Sequence, residues 1–213
     1  MREQLQKIGK SLMMPISIIA AAGIFLGLSS VLQNANIVGE GFVSLSVIQN
    51  IVGFIRAIAN ALFGNLSILF AISVAIGLAR KEKETAAFSA VIGFIVFHIA
   101  ISTLLGYNGL NAMTTSVSYL MDNGASQIDS YNVFTKYETI LGVFTLRMNV
   151  LGGIVVGLIV SWLHNRFHEI ELPVMISFFG GKRFVPIITT IVLPLAGIFF
   201  YWVWPFFGSL IDT

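Results

Sequence analysis

The chain has 213 residues, of which 56% are hydrophobic and only 10% charged, against about 25% charged in ordinary soluble domains. A mean hydropathy of +0.90, carried by long uncharged runs, excludes a water-soluble globule and makes bilayer spans the unit of counting. Zero cysteines exclude a disulfide framework and a cysteine nucleophile, and a net charge of +2 is too small to point to nucleic acid.

In chain order, Arg2, Lys7 and Lys10 precede an apolar run as the basic region of a signal peptide precedes its core. The run is too long for that: Leu12 to Leu32 is 21 uncharged residues, about 30 Å of helix. A retained span near 12–33 is expected. Over 43–64, Ser46, Gln49, Asn50, Arg56 and Asn60 fall on one side, with Val47, Ile48, Ile51, Val52, Ile55, Ile58 and Leu62 on the other. This spacing predicts an amphipathic helix that lies in the membrane interface or turns its polar stripe to a protein cavity. Gly64-Asn65 breaks it, and 63–79 reads as a short span.

The charge run Arg80-Lys81-Glu82-Lys83-Glu84 must sit in water. A span over 86–105 follows, interrupted only by His98, and then the polar stretch Tyr107 to Glu138, which reads as an exposed loop with or without a short surface helix. The segment 140–163 reads as a span with Arg147 in its outer third, and 173–179 is too short to cross, so it reads as interfacial or re-entrant. The last span, 184–207, carries Pro186, Pro194 and Pro205 and ends in an aromatic belt of Tyr201, Trp202 and Trp204. The expected fold is an all-α integral membrane protein with about five spans, one amphipathic helix and one short interfacial segment.

Basic residues set the orientation. With the N-terminus inside, nine of the twelve Lys and Arg are cytoplasmic, Lys136 is outside, and Thr213 emerges outside. The near absence of a tail there reads as an interruption.

Among candidate functional residues, Arg147 is costly inside a span unless it snorkels, pairs with Glu138 or lines a polar pathway. His98, twelve residues into its span, faces protein or a cavity rather than lipid; no Asp or Glu in a span supplies a proton-relay partner. Asn149 is the third polar pathway candidate. His164 and His168 stand at i, i+4, but no third metal ligand is evident, so no metal or cofactor is expected. Gly23 with Gly27, and Gly153 with Gly157, form GxxxG steps that let helices approach closely. The string from Phe178 to Pro186 places Gly180, Gly181, Lys182, Arg183 and Phe184 between apolar segments, as a positive-inside anchor, a gating loop or a docking site for an acidic partner. No phosphate-binding loop, triad or carboxylate pair occurs, so no residue is assigned as catalytic.

Several strings together resemble a known family: Leu5 to Pro15, Gly64 to Ile72, His164-Asn165-Arg166-Phe167, Leu172-Pro173, the Gly-Gly-Lys-Arg-Phe-Val-Pro string and Trp204-Pro205. They are similar to the membrane domain, EIIC, of sugar permeases of the phosphoenolpyruvate-dependent phosphotransferase system, in its glucose, maltose and alpha-glucoside branch. The resemblance implies a multi-pass protein of the bacterial inner membrane with a cytoplasmic N-terminus. It would be the N-terminal, dimer-forming scaffold of a transporter whose sugar-binding part, absent here, moves against it. It also implies a sugar substrate, membrane lipid around a homodimer, and a cytoplasmic EIIB domain or protein whose cysteine phosphorylates the sugar. Gly180 to Phe184 would then serve gating or EIIB coupling. The chain would be part of a phosphorylating transport system with no phosphoryl-carrying residue of its own. Two other readings stand beside it: a small membrane assembly or regulatory subunit without transport duty, and a channel or ion-coupled carrier.

Overall fold

A computed structural model describes residues 2–211, with side chains described from Gln6 to Gly208. Met1, Asp212 and Thr213, and with Thr213 its expected outward placement, lie outside the described residues. Helix α1 (Arg2–Ser11) runs into α2 (Met13–Leu32), followed by two one-turn helices, α3 (Ala35–Val38) and α4 (Glu40–Val43). Then come α5 (Ser46–Gly64), α6 (Leu66–Leu78) and α7 (Lys83–Tyr107). The expected loop contains two short helices, α8 (Val117–Asp122) and α9 (Gln127–Phe134), each opened by a serine whose hydroxyl accepts a backbone N–H of its first turn.

The segment expected to begin a span at 140 does not. Tyr137–Ile140 (β1) and Val143–Leu146 (β2) form an antiparallel hairpin, and the helix that follows, α10, covers Asn149–Phe167. The hairpin turn is Leu141-Gly142, with φ of +50° and +79°, the two-residue geometry whose twist matches paired strands. Arg147 therefore lies outside any helix. Two 3-10 turns, Val174–Phe179 and Gly181–Arg183, lead into α11 (Phe184–Ile211), which contains Pro194 and Pro205.

Among the described residues, five helical stretches are long and apolar enough to cross a membrane: Gln6–Leu32, Ser46–Gly64, Lys83–Tyr107, Asn149–Phe167 and Gly181–Gly208. The expected span over 63–79 is not among them. The helix breaks at Asn65, and α6 has 13 residues, about 20 Å against a hydrocarbon core of about 30 Å. Helix α5, read from sequence as amphipathic, is by length and composition among the five. The polar side of α5 is mostly uncovered within the chain, with Ser46, Asn50 and Asn60 exposed.

The core forms where α6, α7, α10 and α11 meet, around Ala71, Ala75, Ala90, Phe94, Phe97 and Val160. Helix α2 packs on α5 and buries only Pro15, Ala22 and Ser29, every seventh residue, just as α5 buries only Val52 and Ala59. Such seams are one residue wide, so most of both helices faces outward, where Ile24 (69% exposed) and Phe54 (68%) suit lipid.

Helix α10 meets α6 more tightly. A Cβ at Gly153 would fall on the Ser67 carbonyl oxygen, and one at Gly157 would lie 2.6 Å from the Ala71 carbonyl oxygen. This pair serves packing within the chain, whereas Gly23 and Gly27 have nothing within 4 Å of an added Cβ. Replacing Gly157 by Leu should therefore lower the thermal unfolding midpoint of the purified protein steeply, since overpacking a rigid site costs about 1–3 kcal/mol or more. Gly27→Leu, where an added side chain meets nothing within the chain, should lower the same midpoint far less than Gly157→Leu.

Candidate functional site

Two polar clusters stand at opposite ends of the bundle. The first is built where the hairpin meets α10. Helix α10 begins after Met148, which offers no side-chain cap, and the chain supplies one from β1: Glu138 accepts the backbone N–H groups of Met148 (3.0 Å) and Asn149 (3.2 Å). A carboxylate there meets the orphan amides and the positive end of the helix dipole. Burial raises the Glu138 carboxyl above its ordinary value, while the two amides and the Arg147 charge pull it down. Asn149 holds a left-handed φ of +47°, a conformation that asparagine tolerates better than most residues, and its carbonyl accepts the Ser67 hydroxyl at 2.7 Å.

Arg147 is half-buried. Its N–H donates to the Lys136 carbonyl at 2.9 Å, and its carbonyl accepts the Trp204 indole N–H at 3.0 Å. These contacts enclose a cavity of about 340 Å³ lined by Lys136, Tyr137, Arg147, Asn149, Leu151 and Trp204, among others. Arg147 and Asn149 are thus brought together and His98 is not. His98 is 1% exposed, with Phe94 and Phe97 ring centroids at 4.4 and 5.2 Å, and its Nδ1 shares a 3.0 Å hydrogen bond with the Thr145 hydroxyl on β2. It ties the hairpin to α7.

The second cluster gathers the basic turns at the other end. The backbone N–H of Arg80 donates to the Asn165 side-chain oxygen (2.9 Å), and the Asn165 amide donates to the Leu78 carbonyl (2.9 Å). Lys81 pairs with Glu169 at 2.7 Å; this hydrogen bond and the opposite charges raise the Lys81 ammonium and lower the Glu169 carboxyl. The two histidines are committed to backbone: His164 Nε2 bonds the Lys81 carbonyl at 2.8 Å, and His168 Nδ1 bonds the His164 carbonyl at 2.9 Å. Among the described residues, no group of three His, Asp or Glu could hold a metal ion.

The Gly180 to Phe184 string closes the same end. Gly181 turns with φ +61°, and its N–H donates to the Ile170 carbonyl at 2.8 Å. Lys182 reaches Glu82 at 3.7 Å, and Arg183 donates to the Phe178 carbonyl at 3.1 Å with its guanidinium 4.5 Å from the center of the Phe178 ring. Phe184 packs edge-on to Phe167 at 5.8 Å.

A bundle of apolar helices, stitched at both ends by polar groups that reach backbone carbonyls and amides, defines a multi-pass helical membrane protein. Residues 9–213 match the family Phosphotransferase system, EIIC, and the chain belongs to that family. It is 34% identical over 207 residues, 97% of this chain and 37% of the relative, to the PTS system maltose-specific EIICB component of Escherichia coli (strain K12). To the PTS system glucoside-specific EIICBA component of Staphylococcus carnosus (strain TM300) it is 34% identical over 203 residues, 95% of this chain and 28% of the relative. The chain thus spans roughly a third of the length of the curated relatives it matches.

Sequence reasoning missed Glu138 as the cap of α10, the Thr145 partner of His98 and the Trp204 clamp on Arg147. No Asn-Gly or Asp-Gly signal marks the hairpin turn, which is made by Leu141-Gly142.

The raised Glu138 carboxyl gives a pH prediction. A carboxyl that binds its proton more tightly folded than unfolded adds stability at low pH and loses it as pH rises above about 4.5 toward the folded value. The stability of the protein relative to its Glu138→Gln variant should therefore be greater at pH 5 than at pH 8, as read by thermal unfolding at both pH values. At the basic end, His164→Ala should cost about 2 kcal/mol or more through a buried void and a lost hydrogen bond, whereas Lys81→Ala, which breaks an exposed pair, should barely move the midpoint.

Proposed function

We propose that this chain is the scaffold part of a phosphoenolpyruvate-dependent sugar permease of a bacterial inner membrane, acting on maltose, glucose or another alpha-glucoside. The observation that carries the reading is the match over nearly the whole chain to two EIIC proteins named for maltose and for glucosides. The same names, EIICB and EIICBA, support an EIIB partner that phosphorylates the sugar in transit.

The geometry supports a division between the two ends. The cavity at the hairpin end combines the flat faces of Trp204 and Tyr137 with the polar groups of Arg147, Asn149 and Lys136. Aromatic faces cover the C–H surface of a pyranose while a few placed donors and acceptors take its hydroxyls, the usual division of labor in small-ligand sites. On this reading the cavity is part of the sugar pathway, and His98 positions its floor through Thr145.

The end bearing Arg80, Lys81, Arg166, Lys182 and Arg183 is cytoplasmic, which puts the N-terminus inside. It offers a positive field to a phosphorylated EIIB, and Gly180 to Phe184 form the loop that couples docking to gating. The homodimer forms through outward faces such as that of Gly23 and Gly27. The Gly153 and Gly157 face is occupied by α6, so the moving sugar-carrying part slides elsewhere.

The test is uptake and phosphorylation of labeled alpha-glucosides in cells expressing the gene, with and without the general phosphorylating proteins. Accumulation of the sugar phosphate only when those proteins are present is expected; accumulation of free sugar without them would exclude the reading in favor of an ion-coupled carrier or a channel. Asn149→Gly keeps the left-handed backbone and removes the amide, and should raise the KM for uptake about tenfold, the worth of one or two hydrogen bonds.

A further inference from the structure

A second cavity, of about 350 Å³, opens at the basic end between α1, the end of α6 and α10. Two cations flank it, Lys7 from α1 and Arg80 just beyond α6, and its apolar wall is made by Ile8, Leu78, Leu158 and Trp162. The wall positions are set by packing. Helix α1 is held on α6 because Gly77 leaves room for Ser11, whose Cβ a side chain at 77 would overlap, and Ser11 is buried there. The opposite rim is held by Asn165, which bonds the Arg80 N–H and the Leu78 carbonyl at 2.9 Å each.

Charge decides what fits between these walls. Lys81 and Lys182 at the same end have carboxylate partners, but among the described residues neither Lys7 nor Arg80 forms an ion pair. Two cations without a carboxylate partner among the described residues therefore face one groove. The apolar wall also continues out of it along α10, where Leu151, Leu158 and Trp162 are 47%, 37% and 63% exposed and lie within one face at spacings of seven and four. A small free anion would satisfy the cations but leave this apolar strip, and an exposed indole at the water boundary, without a use.

We propose that this groove is a binding site for one anionic phospholipid. The phosphodiester lies between Lys7 and Arg80, the glycerol region meets Ser161 and Asn165, and an acyl chain runs outward over Leu158 and Trp162. Basic residues at the inner surface attract anionic headgroups, and an indole suits the headgroup boundary. The lipid would bridge α1 to α10, which touch the same cavity but are joined mainly through α6.

The site is tested by native mass spectrometry of the purified protein in detergent, titrated with dioleoyl phosphatidylglycerol, dioleoyl phosphatidylcholine and, as competitor, glycerol phosphate. Phosphatidylglycerol should bind in preference to phosphatidylcholine. The double variant Lys7→Gln/Arg80→Gln, at two exposed positions, should weaken it about 25-fold, from about fivefold per basic residue. Arg166→Gln, an exposed cation at the same end outside the groove, should change it less than twofold, and Trp162→Ala should weaken both lipids. Unchanged phosphatidylglycerol binding in the double variant, or an equal loss in Arg166→Gln, would overturn the site. Competition by glycerol phosphate as effective as by the lipid itself would overturn the lipid and leave an anion site.

Discussion

Helices inside a membrane gain nothing from leaving lipid for one another, because the tails around them are as apolar as their own side chains; what holds them is how closely their backbones can approach. In this protein that approach is made by α10 on α6. Gly153 and Gly157 sit against the Ser67 and Ala71 carbonyls with no space for a side chain, and the Ser67 hydroxyl crosses to the Asn149 carbonyl one turn away. Helix α6 is too short to span the hydrocarbon, yet it is buried through Phe70, Ala71, Val74 and Ala75. Being enclosed by neighbors, it does not need full length, and its ends become the places where polar groups can gather.

Both polar clusters follow from those ends. At one, the start of α10 is displaced to Asn149 by the hairpin, and Glu138 folds back to satisfy the amides that the short helix leaves open. At the other, α6 stops at Leu78 and the charged turn after it is bound through Asn165, His164 and Glu169 to the end of α10. The candidate sugar cavity and the basic face are therefore joined by a rigid pair, α6 and α10.

Part of the site was legible in residue types. Arg147 and Asn149 stood out as polar residues near an apolar run, and they do line one cavity; the Arg80 to Glu84 run and the Lys182-Arg183 pair were readable as water-facing, and they share one end. His98 was readable as buried, but its partner Thr145 lies 47 residues away on the hairpin, a distance in sequence that no periodicity bridges. The hairpin itself was hidden because Ile140, Leu141, Val143, Phe144 and Leu146 continue the apolar run of α10. A strand that is hydrophobic on both sides looks like helix until the turn residues are weighed. The lengths of α5 and α6 have a similar origin: apolar residues run through both stretches, and only the break at Asn65 fixed where each ends.

By itself the sequence determined the solvent, the class of fold, the end of the bundle that carries positive charge and the family, because hydropathy, basic turns and family strings are written locally along the chain. Only the tertiary structure decided which glycines are buried, that Glu138 caps α10 from another element, and that Lys7 and Arg80 face one groove. Those facts depend on which backbones come within a few ångströms of each other, and in lipid that choice is made by shape and by polar groups seeking partners, neither of which leaves a periodic trace in the order of residues.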